Sequence, residues 1–407
     1  MSAATAALEF RHVDILFPAR QGGSGQRERM RRALELLDSG QARMQIAEST
    51  GIVVGVADAN LSVAPGEISV LMGLSGSGKS TLLRAANGLN VVTRGQVLVG
   101  GNEDSDEVVD VAACDRAQLR RVRRERIAMV FQQFGLLPWR TVRENVGLGL
   151  ELSGVAVAER HRIVDEKLAL VGLADWAGRY ASELSGGMQQ RVGLARAFAT
   201  EADILLMDEP FSALDPLIRT KLQDELLTLQ RQVRKTILFV SHDLDEALKL
   251  GNRISILEGG RIVQTGTPHD IVLRPINDYV AEFVRHMNPL TVLTGGMVMR
   301  AHSELAREGE QLWLDSARRY QITLNARGEC VGVRVDGVAA PFARHEDCES
   351  DSRLPPGLVI APMTLSLQRI IQLRQRTGHP VLMAHEGVVG GVCDETEIVR
   401  ALAGKVV

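Results

Sequence analysis

A chain of 407 residues is too long for one compact core and predicts two or three domains, while 45% hydrophobic and 24% charged residues are ordinary for a soluble globular protein. A net charge of −3 gives no general reason to expect nucleic acid or anionic lipid as a partner. Cys114, Cys330, Cys348 and Cys393 lack disulfide or metal-site spacing, no apolar run is long enough to cross a bilayer, and residues 1–17 lack the basic start and apolar core of a secretory signal, so a cytosolic protein is expected.

Residues 8–17 alternate apolar and polar side chains, as a strand does. Gln21-Gly22-Gly23-Ser24-Gly25 breaks the pattern, after which Met30, Ala33, Leu34 and Leu37 fall at helical spacing. Residues 41–48 read as a second short helix, so a helical insertion over about 26–50 is predicted within the first sheet. Strands over 52–63 and 67–72 follow, divided by Ala64-Pro65-Gly66.

Immediately after the second of these comes Gly73-Leu74-Ser75-Gly76-Ser77-Gly78-Lys79-Ser80-Thr81, which fits G-x-x-x-x-G-K-[ST] between a strand and a helix. The plain alternative is a chance Gly/Ser-rich turn, which the flanking elements and the downstream residues disfavour. Glycines let the backbone bend so that its N–H groups face phosphates, and the following helix adds its positive end. Lys79 then reaches the β- and γ-phosphates of a nucleotide and the Ser80 hydroxyl ligates Mg²⁺.

Farther along, residues 96–99 resume strand character. A helix carrying Arg116, Arg120, Arg121, Arg123, Arg124 and Arg126 lies beside Glu103, Asp104, Asp106, Glu107, Asp110 and Asp115, which favours a solvated face over a nucleic-acid patch. The apolar strand 127–131 ends at Gln132, and a helical subdomain is expected over about 135–184. Apolar strands 204–207 and 236–241 flank a helix over 216–231, two short strands flank Glu258-Gly259-Gly260, and a helix lies near 279–285. The predicted fold is therefore α/β, a mainly parallel sheet around the P-loop over residues 1–288. Beyond Asn288-Pro289 the composition shifts to a small α+β domain over 295–407. Its residues 368–402 read as a β-α-β-β-α unit, with strands 322–325 and 330–335 suggesting a weaker copy of it.

Asp208 and Glu209 end an apolar strand, at the sheet edge where ligands of open α/β folds bind. Asp208 is placed to hold Mg²⁺ and Glu209 to polarise the water that attacks the γ-phosphate. His242 and Gln132 end two further strands, His242 to meet the γ-phosphate and Gln132 to meet both Mg²⁺ and the water. Ser185, Gly186 and Gly187 open a helix and form a second phosphate-binding terminus in a chain that already has a P-loop. A head-to-tail dimer resolves this, each chain's Ser185 turn capping the nucleotide on the other's loop.

Taken in order, Gly73 to Thr81, Gln132, Leu184-Ser185-Gly186-Gly187-Met188, Ile204 to Glu209, Ser212-Ala213-Leu214-Asp215 and His242 resemble the ATP-binding subunit of an ABC transporter over roughly residues 8–285. The wording of residues 72–80, 211–219 and 241–247, with Met188 and the helical insertion, resembles the quaternary-amine importers of glycine betaine, proline betaine and choline. Pro138-Trp139-Arg140-Thr141 and Asp208-Glu209-Pro210 lean toward the choline branch.

The resemblance implies ATP and Mg²⁺ as cofactors and a homodimer on the cytoplasmic face of the cell membrane. An integral-membrane permease would meet Gln132 and residues 135–140, with a substrate-binding protein as an indirect partner. Asp215 would cross the dimer seam, and Phe17 would stack on adenine in place of the aromatic that 50–56 lacks. The C-terminal region resembles paired cystathionine-β-synthase regulatory modules. An importer ATPase for another small solute, or a soluble ABC ATPase outside transport, is the alternative reading.

Overall fold

The computed structural model describes residues 6–19, 25–100, 107–131, 135–200, 202–212, 214–285, 290, 293–309, 311–345 and 357–403. Gln132, Ala213, Cys348, residues 21–24, the acidic stretch 101–106 and the boundary at 288–289 lie outside the described residues. The chain divides into two compact units, one ending at Ala281 and the other beginning at Glu282.

Alternating apolar residues place β1 (Leu8–Pro18) and β2 (Ile52–Val63) as antiparallel neighbours in a four-stranded sheet, which β4 (Arg94–Val99) and β5 (Val109–Asp110) complete on the far side of β1. Between them in sequence, α1 (Gln26–Asp38) and α2 (Arg43–Thr50) form the expected insertion. Ala33, Leu37 and Ile46 bury their side chains against Leu16, Ile52, Val54 and Ala57. Arg94 ties the end of α1 to the sheet, bonding Asp38 through both terminal nitrogens and the buried Asp14 through Nε at 2.6 Å.

The other sheet follows from three short, wholly apolar or nearly apolar runs, β3 (Ile68–Met72), β7 (Ile204–Asp208) and β8 (Thr236–Val240), each buried along its full length. Strands of this kind need cover on both faces and pair in parallel. With β6 (Ile127–Val130), β9 (Arg253–Glu258) and the antiparallel edge β10 (Arg261–Gly266), they give the order β10-β9-β3-β8-β7-β6. Register decides where the site lies. Leu71 and Asp208 both stand level with Val240, so β3, β7 and β8 end together on one edge. Val130 stands opposite Met207, which brings the end of β6 to the same edge.

The helical subdomain holds the helices Val142–Val146, Leu148–Leu152 and Val157–Leu170, and it packs on the helix Gly186–Ala199.

In the second unit, the strand Leu358–Pro362, helix Leu367–Thr377, strands Val381–His385 and Val388–Cys393 and helix Glu395–Leu402 realise the expected β-α-β-β-α order. The weaker copy takes another form. Tyr320–Leu324 and Cys330–Val335 pair as a hairpin inside a five-stranded antiparallel sheet, and no α-helix interrupts the described residues 305–345. The physical reason is local: Asp336 and Gly337 both adopt positive φ and turn the chain from Cys330–Val335 straight back into the strand Val338–Ala339, where the full unit continues as a helix.

Candidate functional site

Gly73 has φ 143° and Gly78 φ 102°. A β-carbon on Gly73 would fall 2.2 Å from the Leu257 carbonyl oxygen, and one on Gly78 would fall 2.5 Å from that of Gly55. Only glycine fits either position, and between them the loop forms a tight arch over the end of β3. Lys79 folds back under that arch, its Nζ donating to the carbonyls of Gly73 (2.8 Å) and Leu74 (3.1 Å). Burial pushes the Lys79 ammonium below its ordinary pKa, a shift opposed by the negative charges of Glu209 and Asp208. Ser77 Oγ is buried with no hydrogen-bond partner, a polar atom aimed at a loop built to take polar ligands.

Helix Lys79–Ala85 carries Ser80 and Arg84 one turn apart, on one face. Both reach Asp208. Ser80 Oγ donates to Oδ1 at 2.6 Å, and Arg84 donates to Oδ2 through Nε (3.1 Å) and Nη2 (2.8 Å). Asp208 is fully buried beneath them. Among the described residues, no three His, Cys, Asp or Glu side chains gather closely enough to hold a metal ion by themselves. A hydroxyl and one carboxylate form a hard oxygen set that fits Mg²⁺ when phosphate oxygens complete the shell.

Glu209 turns the chain. Its φ of 50° is left-handed, unusual outside glycine, and its N–H donates to the Val240 carbonyl at 3.1 Å. That turn sets its carboxylate 3.3 Å from Nδ1 of the exposed His242 at the end of the neighbouring strand. The Glu209 carbonyl accepts from Ser212 Oγ (3.0 Å) and Gln190 Nε2 (3.5 Å), so the strained residue is braced on two sides.

Ser185 caps the helix Gly186–Ala199, accepting from the Met188 N–H at 3.4 Å. Ser185 and Gly186 are exposed, and no hydrogen bond joins them to the P-loop of the same chain among the described residues. Asp215 is also exposed and caps the helix Pro216–Val233 through the Ile218 N–H at 3.1 Å. Ser75, Gly76 and Thr81 lie on the open side of the loop, Ser75 and Gly76 exposed and Thr81 half-buried. Phe17 is half-buried with its ring over Gly55. A β-carbon on Gly55 would meet Phe17 Cε2 at 2.8 Å and the Thr81 methyl at 3.2 Å, so both side chains converge there.

Arg84, Tyr279 and Arg196 are among the residues that escaped the motif reading. Arg84 follows Ser80 by four positions, a helical spacing that would have found it. Tyr279 accepts from the Leu74 N–H (3.4 Å) and donates to the Leu257 carbonyl (3.3 Å), a contact that no local pattern signals. Arg196 donates to the Gly135 carbonyl at 2.7 Å beside a cleft of about 710 Å³ lined by Leu89, Met129, Phe131, Leu148 and Leu152. Trp139 is 70% exposed, which removes core packing as its role.

A family described as "ABC transporter" matches residues 56–212. The chain is 45% identical to the glycine betaine/proline betaine transport system ATP-binding protein ProV of Salmonella typhimurium, over 83% of this chain and 86% of that protein. It is 39% identical to the glycine betaine/carnitine transport ATP-binding protein GbuA of Listeria monocytogenes, over 92% and 94%. Among solved structures, a dimeric bacterial ABC transporter cassette superposes with a TM-score of 0.53 at 30% identity, covering 64% of this chain and 98% of the cassette.

Proposed function

This chain is an ATP-hydrolysing subunit of the ABC importer family for glycine betaine, proline betaine and choline, and on that premise we propose that two copies of it drive a quaternary amine through a membrane permease. One observation carries the reading. Because Leu71, Asp208 and Val240 stand level, Lys79 and Ser80, Asp208 and Glu209, and His242 share one sheet edge.

Lys79 and the loop amides of residues 75–80 would grip the β- and γ-phosphates, and Ser80 with Asp208 would hold Mg²⁺. Mg²⁺ there supplies positive charge against the polyphosphate. Glu209 would take the proton from water as its oxygen bonds to the γ-phosphorus and the bond to the leaving ADP oxygen breaks. His242 would steady Glu209 and the γ-phosphate, and Gln132 would meet the metal and the water. The exposed Ser185-Gly186-Gly187 turn offers its amides to the nucleotide of a second copy, and a dimeric solved cassette supports that pairing. Asp215, exposed at the start of the helix Pro216–Val233, would cross the seam.

The cleft next to residues 135–140, with exposed Trp139, suits a permease segment, which would hold the chain at the cytoplasmic face of the membrane. No helix among the described residues is long and apolar enough to cross a membrane, so the translocation path must come from that permease. A substrate-binding protein would deliver the solute outside. The names of both relatives favour glycine betaine as cargo, ahead of the choline that residues 138–141 suggested.

Reconstitution with the permease in vesicles tests this. ATP-dependent uptake of labelled glycine betaine, with choline as the second arm, is expected. ATP hydrolysis with uptake of neither would refute the cargo class.

A further inference from the structure

The helical insertion reaches the P-loop through one side chain. Arg43, the first residue of α2, directs both terminal guanidinium nitrogens at the carbonyl oxygen of Gly76, each at 3.4 Å. It has no ion pair among the described residues, whereas Arg31 of the same insertion pairs with Glu28 and Glu35. An arginine in the first turn of a helix also opposes the helix dipole, and no acidic residue in that turn offsets it. Local preference is therefore broken at the point where the insertion meets the loop, which is where functional constraint is expected.

The placement is rigid. Arg94 fixes the end of α1 through Asp38 and Asp14, and Ile46, one turn beyond Arg43, is fully buried against the first sheet. Arg43 is thereby held beside Gly76, in the loop whose backbone must cradle phosphate.

We infer that Arg43 is a positioning residue for the nucleotide. By bonding the Gly76 carbonyl next to the Ser77 N–H, which donates to the Leu74 carbonyl at 3.1 Å, it holds this turn of the loop in its shape, and its unpaired charge adds to the potential there. The inference rests on the P-loop binding ATP as proposed above. A planar fork with two donors on one oxygen is geometry that lysine reproduces only in part.

ATP hydrolysis and ATP and ADP binding by the full chain test the inference, using Arg43→Ala, Arg43→Lys, Arg31→Ala and Lys79→Ala. Arg43→Ala is expected to raise KM for ATP, and Kd for both nucleotides, by roughly three- to tenfold with kcat within about twofold, the ordinary net worth of one hydrogen bond rather than of a short charged one, since this contact is long and exposed. Arg43→Lys recovers part of that loss, Arg31→Ala matches the parent, and the thermal midpoint without nucleotide is unchanged. If Lys79→Ala loses binding while Arg43→Ala keeps the parent KM, or if Arg43→Ala only lowers the thermal midpoint, the positioning role is overturned. If Lys79→Ala itself binds ATP normally, the P-loop reading fails first.

Discussion

Ser80 and Asp208 lie 128 residues apart in sequence and 2.6 Å apart in the fold, hydroxyl to carboxylate. The contact closes the P-loop helix onto the end of β7, and Arg84 locks the second carboxylate oxygen with two further bonds. Asp208 is fully buried while Arg84 is 39% exposed, so the carboxylate depends on this guanidinium for its neutralising charge. Arg84→Ala should destabilise the chain by about 2 kcal/mol, less than a fully buried pair would lose, because water reaches the arginine. Urea unfolding measures it, with Arg84→Lys in between. An unchanged midpoint for the alanine variant would show that Asp208 needs no such partner.

Glu209 is the residue proposed above as base, and its left-handed backbone aims it at His242. Glu209→Gln keeps the shape and removes the proton acceptor. The expected fall in kcat is roughly 10²- to 10⁴-fold, the usual worth of a general base. ATP Kd should stay within about threefold, since hydrolysis rather than binding is affected. Turnover at the parent rate would dismiss Glu209 from that role.

Phe17 and the Thr81 methyl converge over Gly55, beside the last residue of the P-loop motif. Stacking of a base on an aromatic ring contributes on the order of 1–2 kcal/mol, so Phe17→Ala should weaken ATP and ADP binding alike, by roughly five- to thirtyfold. Phe17→Trp should retain most of the affinity. Equilibrium binding decides: an unchanged Kd for Phe17→Ala would leave the ring with a packing role over Gly55 alone.

Much of this site is legible before any fold is known, for a physical reason. Apolar runs such as Ile204 to Met207 must be buried strands, so the charged residues that end them emerge at a common sheet edge. What local pattern does not show is how far elements reach. Arg43 and Tyr279 touch the P-loop from opposite directions in sequence, and only tertiary packing brings them there. In the second unit, alternation revealed Tyr320–Leu324 and Cys330–Val335 but not their topology. Asp336-Gly337 was the missed signal, since a tight turn there leads into the strand Val338–Ala339, where a repeated unit would continue as a helix.

A pH dependence follows from Glu246, buried behind the His242 strand end. Its carboxylate accepts from Ser241 Oγ at 2.5 Å and from Gln223 Nε2 at 3.0 Å. Burial nevertheless raises its pKa above the ordinary 4.5, with those two bonds pulling the other way. A raised carboxyl pKa means that the folded chain prefers the protonated form. Its cost to stability is absent below pH 4.5, develops as pH climbs through the raised value, and is complete above it. Gln at this position cannot ionise, yet its oxygen still accepts from Gln223 and its amide can donate to Ser241. Glu246→Gln should therefore gain stability relative to the parent as pH rises from 4.5 and reach a constant difference at alkaline pH. Unfolding curves at a series of pH values measure the difference, and parallel pH profiles for the two proteins would show that burial of this carboxylate carries no ionisation penalty.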